Sequence, residues 1–117
     1  MQSIVFNNSI LEDVKTTSVN SLVKAMGDDL VKIVLFGSCA RGNFDNDSDV
    51  DIAILTKSDR VEAKRYTDEL AQISTEIAMK NMAVVNFICI PYKEYYEKKD
   101  WYLFFKNIEK EGITLYG

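Results

Sequence analysis

Two apolar segments, joined by a small-residue turn and a polar loop, constrain this chain more than any other feature of its sequence. The first segment, Leu30–Phe36, predicts a strand, and Gly37 and Ser38 follow it directly. The second, residues 49–55, begins with two carboxylates around one valine and continues as an apolar run. Apolar residues on both alternating faces are typical of a strand buried on both sides. We therefore predict that the second segment is a central strand.

The two carboxylates, Asp49 and Asp51, are spaced for a common function. Alternate side chains of a strand share a face, so the Cα atoms of Asp49 and Asp51 are expected roughly 6.5 to 7 Å apart. Mg²⁺ is commonly held by one or two carboxylates plus substrate phosphates. The turn at Gly37 and Ser38 offers backbone N–H groups and a hydroxyl to a polyphosphate. These residues predict a site for a nucleoside triphosphate with Mg²⁺.

A longer pattern extends this interpretation. Residues 37–42 (GSCARG) and 48–51 (SDVD) resemble the minimal nucleotidyltransferase branch of the DNA polymerase beta-like nucleotidyltransferase superfamily. Residues 105–116 (FKNIEKEGITLY) are also similar to that branch, so the resemblance covers nearly the whole chain. It implies an α/β (α+β) fold with a small mixed β-sheet backed by helices. Members of the branch are often encoded with a helical HEPN-family partner.

The resemblance implies an enzyme that transfers a nucleotide, AMP from ATP, to a hydroxyl group. Such transfer depends on placement and on neutralising phosphate charge. Two Mg²⁺ ions can clamp the attacking and leaving oxygens. Asp49 and Asp51 are the expected metal ligands, and Asp51 is placed to bridge two ions. Gly37 and Ser38 are expected to bind the β and γ phosphates, and Arg41 suits phosphate oxygens through its planar guanidinium.

One position departs from the family pattern. The family usually supplies a third carboxylate on the strand beside the Asp-x-Asp strand, as a metal ligand and possible base. The matching residue here is Asn86. Asparagine offers a neutral carbonyl to a metal but takes no proton at physiological pH. Binding of a second metal is expected to be weakened, which leaves open a module that binds nucleotide and partner with little or no turnover.

Each feature also has an ordinary structural explanation. Gly37-Ser38 is compatible with a common strand-ending turn, and Arg41 with an ion pair to one of the aspartates. The acidic residues between 45 and 51 are compatible with a solvated loop. A calcium-binding EF-hand loop does not fit, because counting from residue 45 puts Val50 sixth and Thr56 twelfth, where glycine and glutamate are required.

Length and composition exclude several function classes. At 117 residues we expect one domain, residues 1–117. The net charge of −4 argues against a nucleic-acid backbone as partner. The absence of histidine excludes Ser-His-Asp catalysis and His-ligated zinc. Without a long apolar run or a signal-like start, we expect no membrane association and a cytoplasmic protein, with Cys39 and Cys89 as free thiols.

A domain of this size is expected to obtain its acceptor site from another chain, because larger relatives carry an extra domain for that purpose. By resemblance, the partner is a HEPN-type toxin ribonuclease, and this chain is its antitoxin. A homodimer that modifies an antibiotic-like small molecule is an alternative. The aromatic residues of the C-terminal third fit either an interface or simple cover for the sheet.

The remaining elements follow from periodicity and caps. A helix is predicted over residues 9–26 with Gly27 at its end, and another from Asp59, where Glu62 completes a capping box. The two long helices are expected to cover one sheet face, with the site on the opposite face. The other predicted segments are a strand or arm (1–8), a helical turn (38–41), a third strand (83–90), two helices (92–97 and 101–110) and an edge strand (113–116).

Overall fold

The computed structural model describes residues 6–117, and within them the chain forms five helices and four strands. The predicted strand or arm over residues 1–8 falls mainly outside these described residues. No helix between residues 6 and 117 is long and apolar enough to cross a membrane. The elements, in chain order, are α1 (Asn8–Met26), β1 (Leu30–Phe36), α2 (Ser38–Arg41), β2 (Val50–Thr56), α3 (Thr67–Asn81), β3 (Val85–Pro91), α4 (Tyr92–Lys98), α5 (Leu103–Glu111) and β4 (Ile113–Tyr116).

The four strands form one mixed sheet in the order β3-β2-β1-β4. β1 pairs antiparallel with β2 and with β4, whereas β2 and β3 run parallel. The parallel pair is joined by α3, as a parallel connection requires a crossover. The predicted α/β class is confirmed, β2 lies in the interior of the sheet, and β4 is an edge strand as predicted.

Caps set the ends of the two long helices. The Asn7 side chain accepts a hydrogen bond from the Ile10 N–H at 3.0 Å and starts α1, which ends at Gly27 with φ +54°. The predicted capping box forms: the Glu62 N–H donates to Asp59 at 2.8 Å, and the Asp59 N–H donates to Glu62 at 3.3 Å. The box opens a 3-10 turn, Glu62–Tyr66, and the α-helix begins only at Thr67.

The sheet buries apolar side chains on both faces. α1 and α3 cover one face, where Val14 and Ile77 join a cluster with Ile52 and Ile54 of β2. α4 and α5 cover the other face, where Tyr95 and Phe105 are each 2% exposed and join a cluster with Ala53 of β2. Burying these side chains is the main favourable term in forming this layered arrangement.

The two long helices, α1 and α3, thus cover one face as predicted, and α4 and α5 cover most of the other. The second face also carries apolar residues of β2, Ala53 and Leu55, and these need cover that α4 and α5 supply. Asp51 lies two residues before Ala53 and therefore on this same face. The cover from α4 and α5 ends before it reaches Asp51. The site thus occupies the uncovered end of an otherwise buried face.

A polar cluster joins the start of β1 to the segment after β2. Asp29 accepts hydrogen bonds from the Ser58 N–H at 2.8 Å, the Ser58 hydroxyl at 2.6 Å and the Tyr66 hydroxyl at 2.8 Å. Arg65 adds an ion pair at 3.3 Å. Burial raises the pKa of the Asp29 carboxyl, but the hydrogen bonds from Ser58 and Tyr66 outweigh it, so this pKa lies below its ordinary value. Tyr66 therefore has a structural role.

The Asp29 cluster predicts an acid dependence of stability. A carboxyl whose pKa is lowered in the folded state stabilises the fold above its unfolded pKa of about 4, and this contribution is lost as pH falls through the folded pKa. We expect Asp29→Asn to lower the free energy of unfolding at pH 7 by about 1–3 kcal/mol. The loss should shrink as pH falls below about 4.

Urea unfolding at pH 7 and at successively lower pH measures this difference. The control is Asp28→Asn, which removes an exposed neighbouring charge. Equal destabilisation by Asp29→Asn at every pH would contradict the assigned role of its charge.

Candidate active site

Three strands bring the predicted site residues to one end of the sheet. Asp51 is the second residue of β2 and lies opposite Phe36, the last residue of β1. On the other side, Asp51 lies opposite Asn86, the second residue of β3. Asp49 immediately precedes β2. The carboxylates therefore project from the sheet end where the chain leaves β1 through Gly37.

Asn86 joins the two carboxylates. Its Nδ2 donates to Asp49 Oδ2 at 3.2 Å and to Asp51 Oδ1 at 3.1 Å. Both carboxylates thus converge on one point, as their alternate spacing predicts. Asn86 takes the position beside Asp51 at which the resemblance implies a third carboxylate. Its amide links two like charges in place of a third negative charge.

Gly37 is required by the approach of the backbone to Asp51. Its φ is +76°, a region that residues with a side chain rarely adopt. A Cβ at this position would stand 2.6 Å from Asp51 Oδ2, which is shorter than any real contact. The sequence alone indicated a tight turn here, but it did not reveal this contact, because the contact depends on how β1 and β2 pair.

The turn after Gly37 forms the predicted short helix α2. The N–H groups of Ala40 and Arg41 donate to the Gly37 carbonyl at 3.1 and 3.2 Å. Among the described residues, the N–H groups of Ser38 and Cys39 donate to no backbone carbonyl in a turn, loop or cap. The first turn of α2 therefore presents N–H donors beside the carboxylates, in the arrangement expected for an anion.

Cys39 anchors this turn. It is buried, and its Sγ lies 3.4 Å from the Asp49 carbonyl oxygen, to which the thiol donates. Burial raises the pKa of the Cys39 thiol, and the nearby Asp51 carboxylate raises it further. A protonated, buried thiol is a poor nucleophile. Cys39 thus holds α2 against the segment that carries Asp49.

Arg41 forms an ion pair with Glu111, and among the described residues it forms none with Asp45, Asp47, Asp49 or Asp51, so the alternative of a pair with one of these aspartates is wrong. Its Nη1 lies 3.2 Å from Glu111 Oε2, and both side chains are partly exposed. The pair borders a cleft of about 160 Å³ that Phe36 and Gly37 also line. Exposed ion pairs contribute only about 0–1 kcal/mol, so Arg41 is free to exchange Glu111 for another anion. The sequence did not assign Glu111, although it stands in the C-terminal run that carried the resemblance.

The acidic loop before β2 does not enlarge the site. The Asp45 N–H donates to Ser48 Oγ and the Asp47 N–H donates to Asp45 Oδ1, each at 2.9 Å. These bonds use the Asp45 carboxylate and the Ser48 hydroxyl within the turn itself. Among residues 6–117, no three acidic, cysteine or histidine side chains cluster in a way that could hold a metal. The side chains that could act as metal ligands are the two carboxylates and the amide oxygen of Asn86. This set fits one Mg²⁺ whose remaining ligands are substrate phosphates.

Comparison with known sequences supports the geometric interpretation. The profile of the nucleotidyltransferase domain family matches residues 18–114. A Methanocaldococcus jannaschii protein named "Putative protein adenylyltransferase MJ0604" is 34% identical over 98 residues, covering 84% of this chain and 90% of that protein. A second, named "Putative protein adenylyltransferase MJ0141", is 29% identical over 88 residues, covering 75% and 81%. The predicted resemblance to nucleotidyltransferases is confirmed.

Solved structures share the fold. A toxin-antitoxin crystal structure with AMP-PNP superposes with a TM-score of 0.57 at 18% identity, covering 88% of this chain and 73% of that one. The MNT antitoxin complex with the tri-AMPylated HEPN toxin of Shewanella oneidensis gives a TM-score of 0.52 at 17% identity, covering 91% and 71%. At this identity the likeness shows the fold alone, and it confirms the predicted minimal nucleotidyltransferase fold.

Two glycines provide a matched test of the site. Gly37 and Gly42 both have positive φ, +76° and +73°, but a Cβ at Gly42 would meet nothing within 4 Å. Alanine at Gly42, which is in the left-handed helical region with ψ +18°, should cost about 1–2 kcal/mol, whereas Gly37 has ψ −158°, a region almost confined to glycine, where alanine should cost about 1–3 kcal/mol. Only Gly37→Ala should displace Asp51, and we expect it to weaken Mg²⁺-ATP binding at least tenfold relative to Gly42→Ala in calorimetric titration. Equal affinities of the two variants would show that the Gly37–Asp51 approach does not matter for the site.

Proposed function

This chain belongs to the nucleotidyltransferase domain family, and we propose that it is a Mg²⁺-dependent protein adenylyltransferase. It moves AMP from ATP to a hydroxyl group of a partner protein. The observation that carries the proposal is the convergence of Asp49 and Asp51 on one point, beside the N–H donors of the Gly37 turn. A divalent ion and a triphosphate need these two features next to each other.

The reaction is an in-line displacement. The acceptor hydroxyl oxygen bonds to the α-phosphorus of ATP, the bond from that phosphorus to the bridging oxygen of pyrophosphate breaks, and the hydroxyl proton is released. Asp49 and Asp51 would hold Mg²⁺ through their carboxylate oxygens. Bound Mg²⁺ would supply neutralisation of phosphate charge. The protein contributes chiefly placement, since the sheet register fixes Asp51, and Asn86 links Asp51 to Asp49 just before β2.

The triphosphate would extend from the carboxylates toward α2. Ser38 and the N–H groups at the start of α2 would contact the β and γ phosphates. Arg41 would leave Glu111 for a phosphate oxygen, because the ion pair is exposed and a phosphate offers the guanidinium two strong acceptors. Glu111 thus holds Arg41 near the site before nucleotide binds.

Asn86, in place of a third carboxylate, is expected to lower the rate of AMP transfer. Rotation of its amide would present Oδ1 to a metal, but the group stays neutral and takes no proton from the acceptor. A second Mg²⁺ would then depend more on phosphate oxygens than on protein ligands. This observation favours a second candidate function: a nucleotide-binding module that neutralises its partner by contact, with slow turnover.

The partner follows from the relatives rather than from the site alone. Two similar proteins are named as protein adenylyltransferases, and the shared fold occurs in an antitoxin bound to a tri-AMPylated HEPN toxin. We therefore propose a HEPN-type toxin as the acceptor of AMP and this chain as its antitoxin. The negative net charge of −4 fits a protein partner better than a nucleic acid.

Calorimetric titration tests the nucleotide site. Wild type is expected to bind ATP with Mg²⁺ and to bind it at least tenfold more weakly without the metal. Asp49→Asn/Asp51→Asn should abolish the metal-dependent part, because the ligands lose their charge. Asp47→Asn/Asp68→Asn, which removes two exposed carboxylates elsewhere, is the matched control and should bind like wild type. Metal-dependent binding that survives in the Asp49→Asn/Asp51→Asn variant would place the nucleotide somewhere else.

Transfer from labelled ATP separates the two candidate functions. The acceptor is a purified HEPN-type toxin from the gene neighbourhood of the chain. Wild type should label it, and Asn86→Asp should raise the rate at least tenfold, equivalent to about 1.4 kcal/mol in the barrier, because a third carboxylate strengthens metal binding and can accept the proton. Labelling by Asn86→Asp alone would favour the contact module. Labelling of the toxin by the Asp49→Asn/Asp51→Asn variant would contradict the proposed role of Asp49 and Asp51 as metal ligands.

A further inference from the structure

β3 forms one edge of the sheet and lacks the usual protection of a sheet edge. Within residues 6–117, β3 pairs only with β2, in an unbroken register from Val85 to Pro91. Proteins commonly block edge strands with charged side chains, internal proline, bulges or short length. β3 has seven residues, none of them charged, and its one proline is the last residue. An edge of this kind is open to pairing with another strand.

The opposite edge is different. β4 has only four residues, and its pairing with β1 carries a register irregularity at Ile33/Val34. Short length and irregular pairing both discourage addition of another strand. The long, regular edge of the sheet is therefore the one next to the proposed active site.

Backbone groups of β3 face outward along this edge. The Val50 N–H donates to the Val84 carbonyl at 2.8 Å, which shows that Val84 directs its backbone toward β2. Alternate residues of a strand direct their N–H and C=O groups to opposite sides. The groups of Val85, Phe87 and Cys89 therefore point away from β2. They form a regular set of donors and acceptors for a neighbouring strand.

Space and apolar surface lie along the same edge. A groove of about 340 Å³ runs between the side chains of Phe87 and Cys89 and the segment that leads into α3, including Lys64. At the start of β3, Met82 and Val84 are 67% and 55% exposed. By strand alternation the Val84 side chain lies on the face that carries Asn86, and the groove lies on the other face, so both faces of this edge offer surface to a partner. We call the outer side of Val85–Pro91, with Met82 and Val84, the β3 edge.

We propose that the β3 edge docks an extended segment of the acceptor protein, which adds to the sheet as a fifth strand. This proposal rests on the proposed transfer to a protein hydroxyl. Asn86 of β3 contacts both Asp49 and Asp51, so the added strand would run directly beside the carboxylates. With strands about 4.8 Å apart, it would lie about 10 Å from β2. A hydroxyl side chain opposite Asn86 would then point toward the site.

The two faces of the sheet at the β3 edge indicate which side chains the docked segment should carry. On the site face, Val84 precedes Asn86 by two residues, which suits a run of apolar or β-branched residues around the hydroxyl-bearing one. On the other face, alternate side chains would enter the groove beside Phe87, where Lys64 suits an acidic residue. Main-chain hydrogen bonds would supply affinity, and these alternate side chains would supply specificity, as in strand addition generally.

Residue-resolved amide hydrogen exchange tests the docking edge. The isotope-labelled chain is measured alone and with the purified HEPN-type toxin, in the presence of Mg²⁺ and a non-hydrolysable ATP analogue. We expect exchange at Val85, Phe87 and Cys89 to slow at least tenfold in the complex. The amides of β4 should be unchanged and serve as the internal control. Unchanged exchange at the three β3 amides, with or without complex formation, would overturn the proposal.

A charge placed on the edge gives a second measurement. Val84→Lys should lower AMP transfer to the toxin at least tenfold, a loss that exceeds any change in the Mg²⁺-ATP affinity of the same variant. Ile113→Lys places the same charge on the opposite edge, at a residue that is 43% exposed, and should transfer like wild type. Wild-type transfer by Val84→Lys would overturn the docking edge. Protection of the β3 amides without any AMP transfer would instead support docking and overturn the transferase function.

Discussion

The close approach of Gly37 to the Asp51 carboxylate is the contact on which the candidate site depends. It exists because β1 ends opposite the second residue of β2, and because glycine at φ +76° leaves room where a Cβ would stand 2.6 Å from Asp51 Oδ2. The same contact places the start of α2 beside the carboxylates. Cys39 then fixes this turn to the Asp49 carbonyl. One backbone arrangement thus positions both the proposed metal ligands and the N–H groups proposed to bind the triphosphate.

The position of the site on the sheet follows from burial. β2 is covered on both faces, yet the cover from α4 and α5 ends before Asp51. A carboxylate in the buried part of that face would lose its hydration and need a compensating partner. At the end of the strand it keeps access to water, metal and substrate. The buried part of β2 holds Asp51 in place, and Asn86 links Asp51 to Asp49 just before the strand.

Asn86 gives this site its particular character. A third carboxylate there would add negative charge to a point on which two carboxylates already converge. The amide instead donates to both at 3.2 and 3.1 Å and offsets their mutual repulsion. The metal site proposed here therefore has protein ligands for one ion, whose remaining ligands would be substrate phosphates. Because Asn86 also belongs to the exposed β3 edge, the same strand connects the metal site with the proposed docking surface for the acceptor.

Periodicity and motif spacing in the sequence determined the strands, the long helices, the Asp59–Glu62 cap and the pairing of Asp49 with Asp51, since these depend on local backbone geometry. Other features depend on contacts between distant segments, and only the tertiary structure reveals them. Strand register brought Asn86 onto both carboxylates and Gly37 against Asp51. Packing put α4 and α5 on the second face and gave Arg41 the distant partner Glu111. The spacing of side chains along a strand determines which residues share a face. Which helices and distant residues contact that face is determined only when the sheet assembles.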